Sequence, residues 1–128
     1  MRRVTGIGGI FFKAEDPEKM YGWYEKHLGI QRERGFVSFA WRDDEKPEER
    51  GLTTWSIFPQ TTEYFKPSES RTMINYRVEN MEALLEALAA EGVAIVKREN
   101  HEYGHFAWIM DPEGNKIELW EPPRETAE

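Results

Sequence analysis

The chain has 128 residues, 39% of them hydrophobic and 13% aromatic, enough for one core that buries roughly 65–70% of the unfolded surface. A formal charge of −7 speaks against a protein that tracks nucleic-acid phosphates, and the absence of cysteine removes disulfides, thiolate metal sites and a cysteine nucleophile. Glycines and Lys13 interrupt the apolar segment after Arg2-Arg3, leaving it too short for a membrane span and a poor export signal, so a soluble cytoplasmic protein with no membrane partner is expected.

The first element in chain order is a strand from Val4 to Lys13, with Ile10 and Phe12 on one face and Ile7, Gly9 and Phe11 on the other. Gly6-Ile7-Gly8-Gly9 lies within it and lacks the third glycine of a dinucleotide fingerprint. It reads as room for close backbone packing or for a ligand. Asp16-Pro17-Glu18 then opens a helix: aspartate caps, proline takes the first helical position, and glutamate meets the positive end of the dipole. Met20, Trp23, Tyr24 and Leu28 recur at helical spacing, and Gly29 stops the run. Phe39-Ala40-Trp41 belongs to a further strand. The stretch from Arg42 to Gly51 is too charged to pack and reads as a long, mobile hairpin loop. Thr54 to Pro59 closes this half, and Gln60 to Arg71, with Lys66-Pro67-Ser68, reads as a linker.

The same order of elements then recurs. Thr72 to Val78 is a strand, with Ile74, Tyr76 and Val78 opposed to Met73, Asn75 and Arg77. Asn80 caps a helix whose stripe is Met81, Leu84, Leu85 and Leu88, and Gly92 ends it. Phe106-Ala107-Trp108 echoes Phe39-Ala40-Trp41. Asp111-Pro112-Glu113-Gly114-Asn115 is a turn, with proline presetting φ and glycine free to turn left-handed. Lys116 to Trp120 is the last strand, with Ile117 and Leu119 on one face and Lys116, Glu118 and Trp120 on the other. The domain reading is a module over 4–59, a linker over 60–71 and a second module over 72–122.

The repeated βαβββ pattern and the ending Asp-Pro-Glu-Gly-Asn-x-Ile-Glu-Leu resemble the vicinal oxygen chelate superfamily, which includes glyoxalase I, fosfomycin-resistance thiol transferases, extradiol dioxygenases and bleomycin-binding proteins. Gly22-Trp23-Tyr24 through His27-Leu28-Gly29-Ile30 is similar to the first-helix signature of that group, and the resemblance runs from about Val4 to Pro122. It implies an α+β fold of two βαβββ modules that form a curved mixed sheet around a cavity, with helices on the outer faces and a homodimer as the assembly. Metal-dependent members hold a divalent ion at four inward positions, which align here with Gly9, Ser56, Met73 and Glu118. Only Glu118 could hold a hard cation firmly, so no cofactor is expected and a divalent metal is not favoured.

Strand parity and this resemblance mark the candidate site residues. Glu118 and, as its partner, His105 (or His101) are the candidates for acid–base work. Phe11, Trp41, Phe58, Asn75, Trp108 and Trp120 are the candidate ligand-binding residues of an aromatic-lined pocket. The expected function is metal-independent binding of a small aromatic, apolar or cationic molecule, as in the bleomycin-binding branch. The alternatives are a lyase, isomerase or dioxygenase-type enzyme using Glu118 as base or metal ligand, and a structural member whose cavity is filled by its own side chains.

Overall fold

The computed structural model describes residues 2–33 and 35–123. Its elements run β1 (Val4–Ala14), α1 (Pro17–Leu28), β2 (Val37–Arg42), β3 (Arg50–Pro59), β4 (Thr72–Val78), α2 (Met81–Ala90), β5 (Ile95–His101), β6 (Gly104–Met110) and β7 (Lys116–Glu121). The strands join one open mixed sheet in the order β2-β3-β1-β4-β7-β6-β5. Each half pairs its first and last strands in parallel, β1 with β3 and β4 with β7. The antiparallel pair β1–β4 stitches the halves together. Among the described residues the first half carries three strands against four in the second, with only an isolated bridge between Glu33 and Phe36 separating α1 from β2.

Both helices begin as their sequences dictate. Asp16 accepts a hydrogen bond from the Lys19 amide at 3.1 Å, and Asn80 does the same for Ala83 at 3.1 Å. Gly29 ends α1 in the left-handed region at φ 68°. In α2 the expected stripe is the buried one: Met81, Leu84 and Leu85 pack with Val78, Ala107 and Leu119. In α1 the stripe is displaced. Tyr21 is its buried residue and packs with Ala14 and Ile57, flanked by Met20 and Tyr24, whereas Trp23 is 52% exposed and Leu28 is also exposed. A tyrosine can be buried because its hydroxyl oxygen accepts a hydrogen bond from the Ile57 amide of β3, at 2.8 Å.

Register places both helices on one face of the sheet, since Ile10 of β1 pairs with Ile74 of β4 and both strands send their alternate residues to the helices. The opposite, helix-free face carries Phe11, Met73, Asn75, Phe106, Trp108 and Glu118. One parity expectation fails in β1. Ile7 pairs with Tyr76 and so shares the face of Ile10, because a bulge between Ile7 and Gly9 inserts one residue.

The charged stretch after β2 also differs from a solvated loop. Asp43 is 1% exposed and accepts from both Arg2 (2.9 and 3.1 Å) and Arg77 (2.6 Å), as well as from the amides of Glu45 and Lys46. A carboxylate with that many donors can leave water. Gly51, at the other end of the stretch, is buried under the Trp41 ring.

Candidate functional site

Glu118 projects from β7 onto the helix-free face and is 2% exposed. Its neighbours come from three directions. Asn75 lies opposite it on β4, and its amide donates to Oε2 at 2.6 Å. Trp108 lies opposite it on β6, and its indole donates to Oε1 at 3.0 Å. Tyr64, from the connection between β3 and β4, donates its hydroxyl to Oε1 as well. Three uncharged donors thus hold one buried carboxylate, with no guanidinium or ammonium bonded to it among the described residues. Burial and the neighbouring Glu118 charge push the Tyr64 phenol well above its ordinary pKa, so it stays a donor. Burial lowers the Lys116 ammonium, which sits 5.5 Å over the Tyr64 ring and 5.7 Å over the Trp108 ring.

The room for Asn75 comes from glycine. A Cβ on Gly8 would lie 2.3 Å from Asn75 Oδ1, so the amide fits only because that side chain is missing. Oδ1 itself is buried without a hydrogen-bond partner among the described residues. Turning the amide over would aim this oxygen at the carboxylate, so the bond to Glu118 sets its orientation.

Around the carboxylate the rings form a continuous array. Phe11 meets Phe58 edge-on at 5.5 Å, Phe58 lies parallel to Tyr64 at 5.7 Å, and Tyr64 meets Trp108 edge-on at 6.3 Å. Trp108 then stacks on Phe106 at 6.1 Å, and Phe106 on Trp120 at 6.4 Å. Phe65 is completely buried beneath, against Met73 and Trp108. The space assigned to a ligand by parity is therefore partly filled by Tyr64 and Phe65 of the supposed linker.

The structure brings Phe11, Phe58, Asn75, Trp108 and Glu118 together and reaches Trp120 through Phe106. It does not bring in Trp41, whose indole donates to Thr53 at 2.8 Å and whose ring lies 4.6 Å from the Arg77 guanidinium. Nor does it bring in His105. Its neighbour across β6–β7 is Glu121, it shares the helix face with Ala107, and Nδ1 bonds Asn100 Oδ1 at 2.7 Å. One residue of strand parity separates it from Trp108, and that suffices to put it on the wrong side of the sheet. His101 stays at the β5–β6 hairpin, bonded to Glu99 at 2.8 Å and stacked on Tyr103. Tyr64 and Phe65 were missed by the sequence reading. Their signal was two adjacent large rings inside a segment otherwise rich in turn residues, which have to be buried somewhere.

The chain matches the Glyoxalase/Bleomycin resistance protein/Dioxygenase superfamily over residues 6–119. It belongs to that superfamily. Among solved structures it is similar to methylmalonyl-CoA epimerase from Mycobacterium tuberculosis, at 18% identity and TM-score 0.63, covering 94% of this chain and 90% of that one. A superfamily member from Vibrio splendidus 12B01 aligns at 14% identity and TM-score 0.58, over 88% of this chain and 95% of that one. A halotolerant catechol dioxygenase aligns at 15% identity and TM-score 0.57, over 96% of this chain but 41% of the other. Among curated proteins, none matches the sequence.

Metal-dependent members of the superfamily imply a divalent ion at the positions of Gly9, Ser56, Met73 and Glu118, and the donors present do not fit one. Glycine brings no side chain, methionine sulfur is a poor ligand for hard cations, and both Glu118 oxygens already accept hydrogen bonds. Among the described residues no three His, Asp or Glu side chains converge to hold an ion.

Proposed function

We propose that this superfamily member binds a small, flat aromatic molecule, neutral or cationic, on the helix-free face of its sheet, without a resident metal. The observation that carries this reading is the buried Glu118 carboxylate, anchored by the neutral donors Tyr64, Asn75 and Trp108 and bordered by the array from Phe11 to Trp120. Rings at such spacings favour a planar guest by offset stacking and edge contacts. A desolvated negative charge favours a hydrogen-bond donor or a cation and repels an anion. The enzymatic alternative, with Glu118 as base, lacks the histidine partner it was expected to have, because His105 faces the helices.

Titration with three planar probes of one size (naphthalene, N-methylquinolinium and naphthalene sulfonate), all in excess chelator, tests the reading. Tryptophan fluorescence is expected to respond to the first two and not to the third. Glu118→Gln is expected to remove the preference for the cation while stacking of the neutral probe persists. Binding that vanishes in chelator, or a preference for the sulfonate, would sink the proposal.

A further inference from the structure

Resting on that reading, we infer that Tyr64 occupies the position of the ligand's own ring, and that the site takes a neutral hydroxyaryl group, a phenol, whose hydroxyl replaces that of Tyr64 on Glu118. The three donors on the carboxylate are not equivalent in origin. Asn75 and Trp108 are built into β4 and β6 and held by register with Glu118. Tyr64 belongs to the connection between β3 and β4.

Its attachment is also unlike theirs. Phe65 next to it is fully buried, whereas Tyr64 is 39% exposed although its hydroxyl reaches a buried carboxylate. The backbone at this point is held independently of the ring: Phe65 anchors it from below, and the Lys116 ammonium donates to the Tyr64 carbonyl at 2.8 Å. Rotation about the side-chain bonds of Tyr64 alone would therefore clear the position, leaving the connection in place.

What Tyr64 leaves behind has the shape and chemistry of a phenol site. A free ring there would lie parallel to Phe58, meet the edge of Trp108 and sit beneath the Lys116 ammonium, as Tyr64 does now. Its hydroxyl would find Glu118 Oε1 as acceptor, with Trp108 already donating to the same oxygen. The raised pKa of the Tyr64 phenol shows that this environment favours the protonated form, so a phenolate or an aryl carboxylate would be repelled. The exchange is non-covalent, one O–H···carboxylate bond and one stacking contact replacing another of each.

The test uses phenol and anisole, which share a ring and differ in the donor, against wild type, Tyr64→Ala and Tyr64→Phe. Binding is read from the Trp108 indole N–H resonance, and displacement of Tyr64 from the accessibility of its ring to a soluble paramagnetic agent. Phenol is expected to shift Trp108 in the wild type and to raise the accessibility of Tyr64 as it saturates. Removing the competing side chain in Tyr64→Ala is expected to tighten phenol by about ten- to a hundredfold, the factor one hydrogen bond to a charged group supports. Anisole should not follow. Tyr64→Phe keeps the ring but frees Glu118 and should fall between; it carries the comparison if Tyr64→Ala does not fold. Phenol binding that leaves Tyr64 unmoved, equal affinities in wild type and variants, or anisole equal to phenol would overturn the inference while naphthalene and N-methylquinolinium still bind. Failure of every planar probe would overturn the binding reading with it.

Discussion

Asn75 is the residue on which the site turns, because it lies between a carboxylate and a glycine. Its amide donates to Glu118 Oε2 at 2.6 Å, and its oxygen rests against Gly8. Asn75→Asp keeps the shape and sets two carboxyl groups side by side, which cannot both ionise at that distance. The variant holds a proton that the unfolded chain releases, so its stability is expected to fall as pH rises from about 4 to 7. The loss should reach about 1–3 kcal/mol at neutral pH, measured by urea unfolding at several pH values; a pH-independent loss would contradict it. Asp43 gives the opposite sign. Its bond with Arg2, together with the amides of Lys46 and Glu45, holds its carboxyl well below the usual range. That contribution is complete above the unfolded value near pH 4 and is lost as pH falls from there toward the folded value. Acid unfolding followed by circular dichroism should therefore be less pH-dependent below pH 4 in Asp43→Asn, although that variant is weaker at neutral pH.

At the scale of elements, caps and stops could be read from local sequence, because each is satisfied within a few residues. Asp16, Asn80 and Gly29 act where expected, since capping needs only the adjacent turn. The face α1 buries was not readable, because Trp23 and Tyr21 are both large aromatics and only the position of the Ile57 amide selects Tyr21. Gly22 lies on the exposed side of this helix, and a Cβ there meets nothing within 4 Å. Gly22→Ala is expected to stabilise the protein by about 0.5–1 kcal/mol by restricting the unfolded chain, visible as a higher thermal midpoint. A lower midpoint would show that α1 is strained at this turn.

At the scale of the molecule, the connection from Gln60 to Arg71 does more than span two halves. Phe65 touches Met73 and Trp108 of the second half and packs with Phe11 and Phe58 of the first. It is a pin beneath the sheet at the place where β1 and β4 join. Phe65→Ala should cost about 3–5 kcal/mol in chemical denaturation, as for other large aromatic truncations in cores. It should also loosen Tyr64, so phenol affinity and stability are expected to change together. A loss under 1 kcal/mol would mean that the connection packs loosely.

The repeated order of strands and helices, the caps and the presence of Glu118 on a strand face opposite Ile117 and Leu119 all follow from contacts within one turn or two residues of strand. Hydrophobic period and turn chemistry are local, so one sequence suffices to read them. Three outcomes depend on residues that meet only after folding: the Tyr64 hydroxyl on Glu118, the Asp43 carboxylate between Arg2 and Arg77, and the bulge that turns Ile7 toward the helices. Tyr64 and Glu118 are separated by 54 positions, and Asp43 and Arg77 by 34. No pattern along the chain specifies such pairings, because what selects them is the cost of leaving a buried charge without donors, and burial exists only once the sheet has assembled.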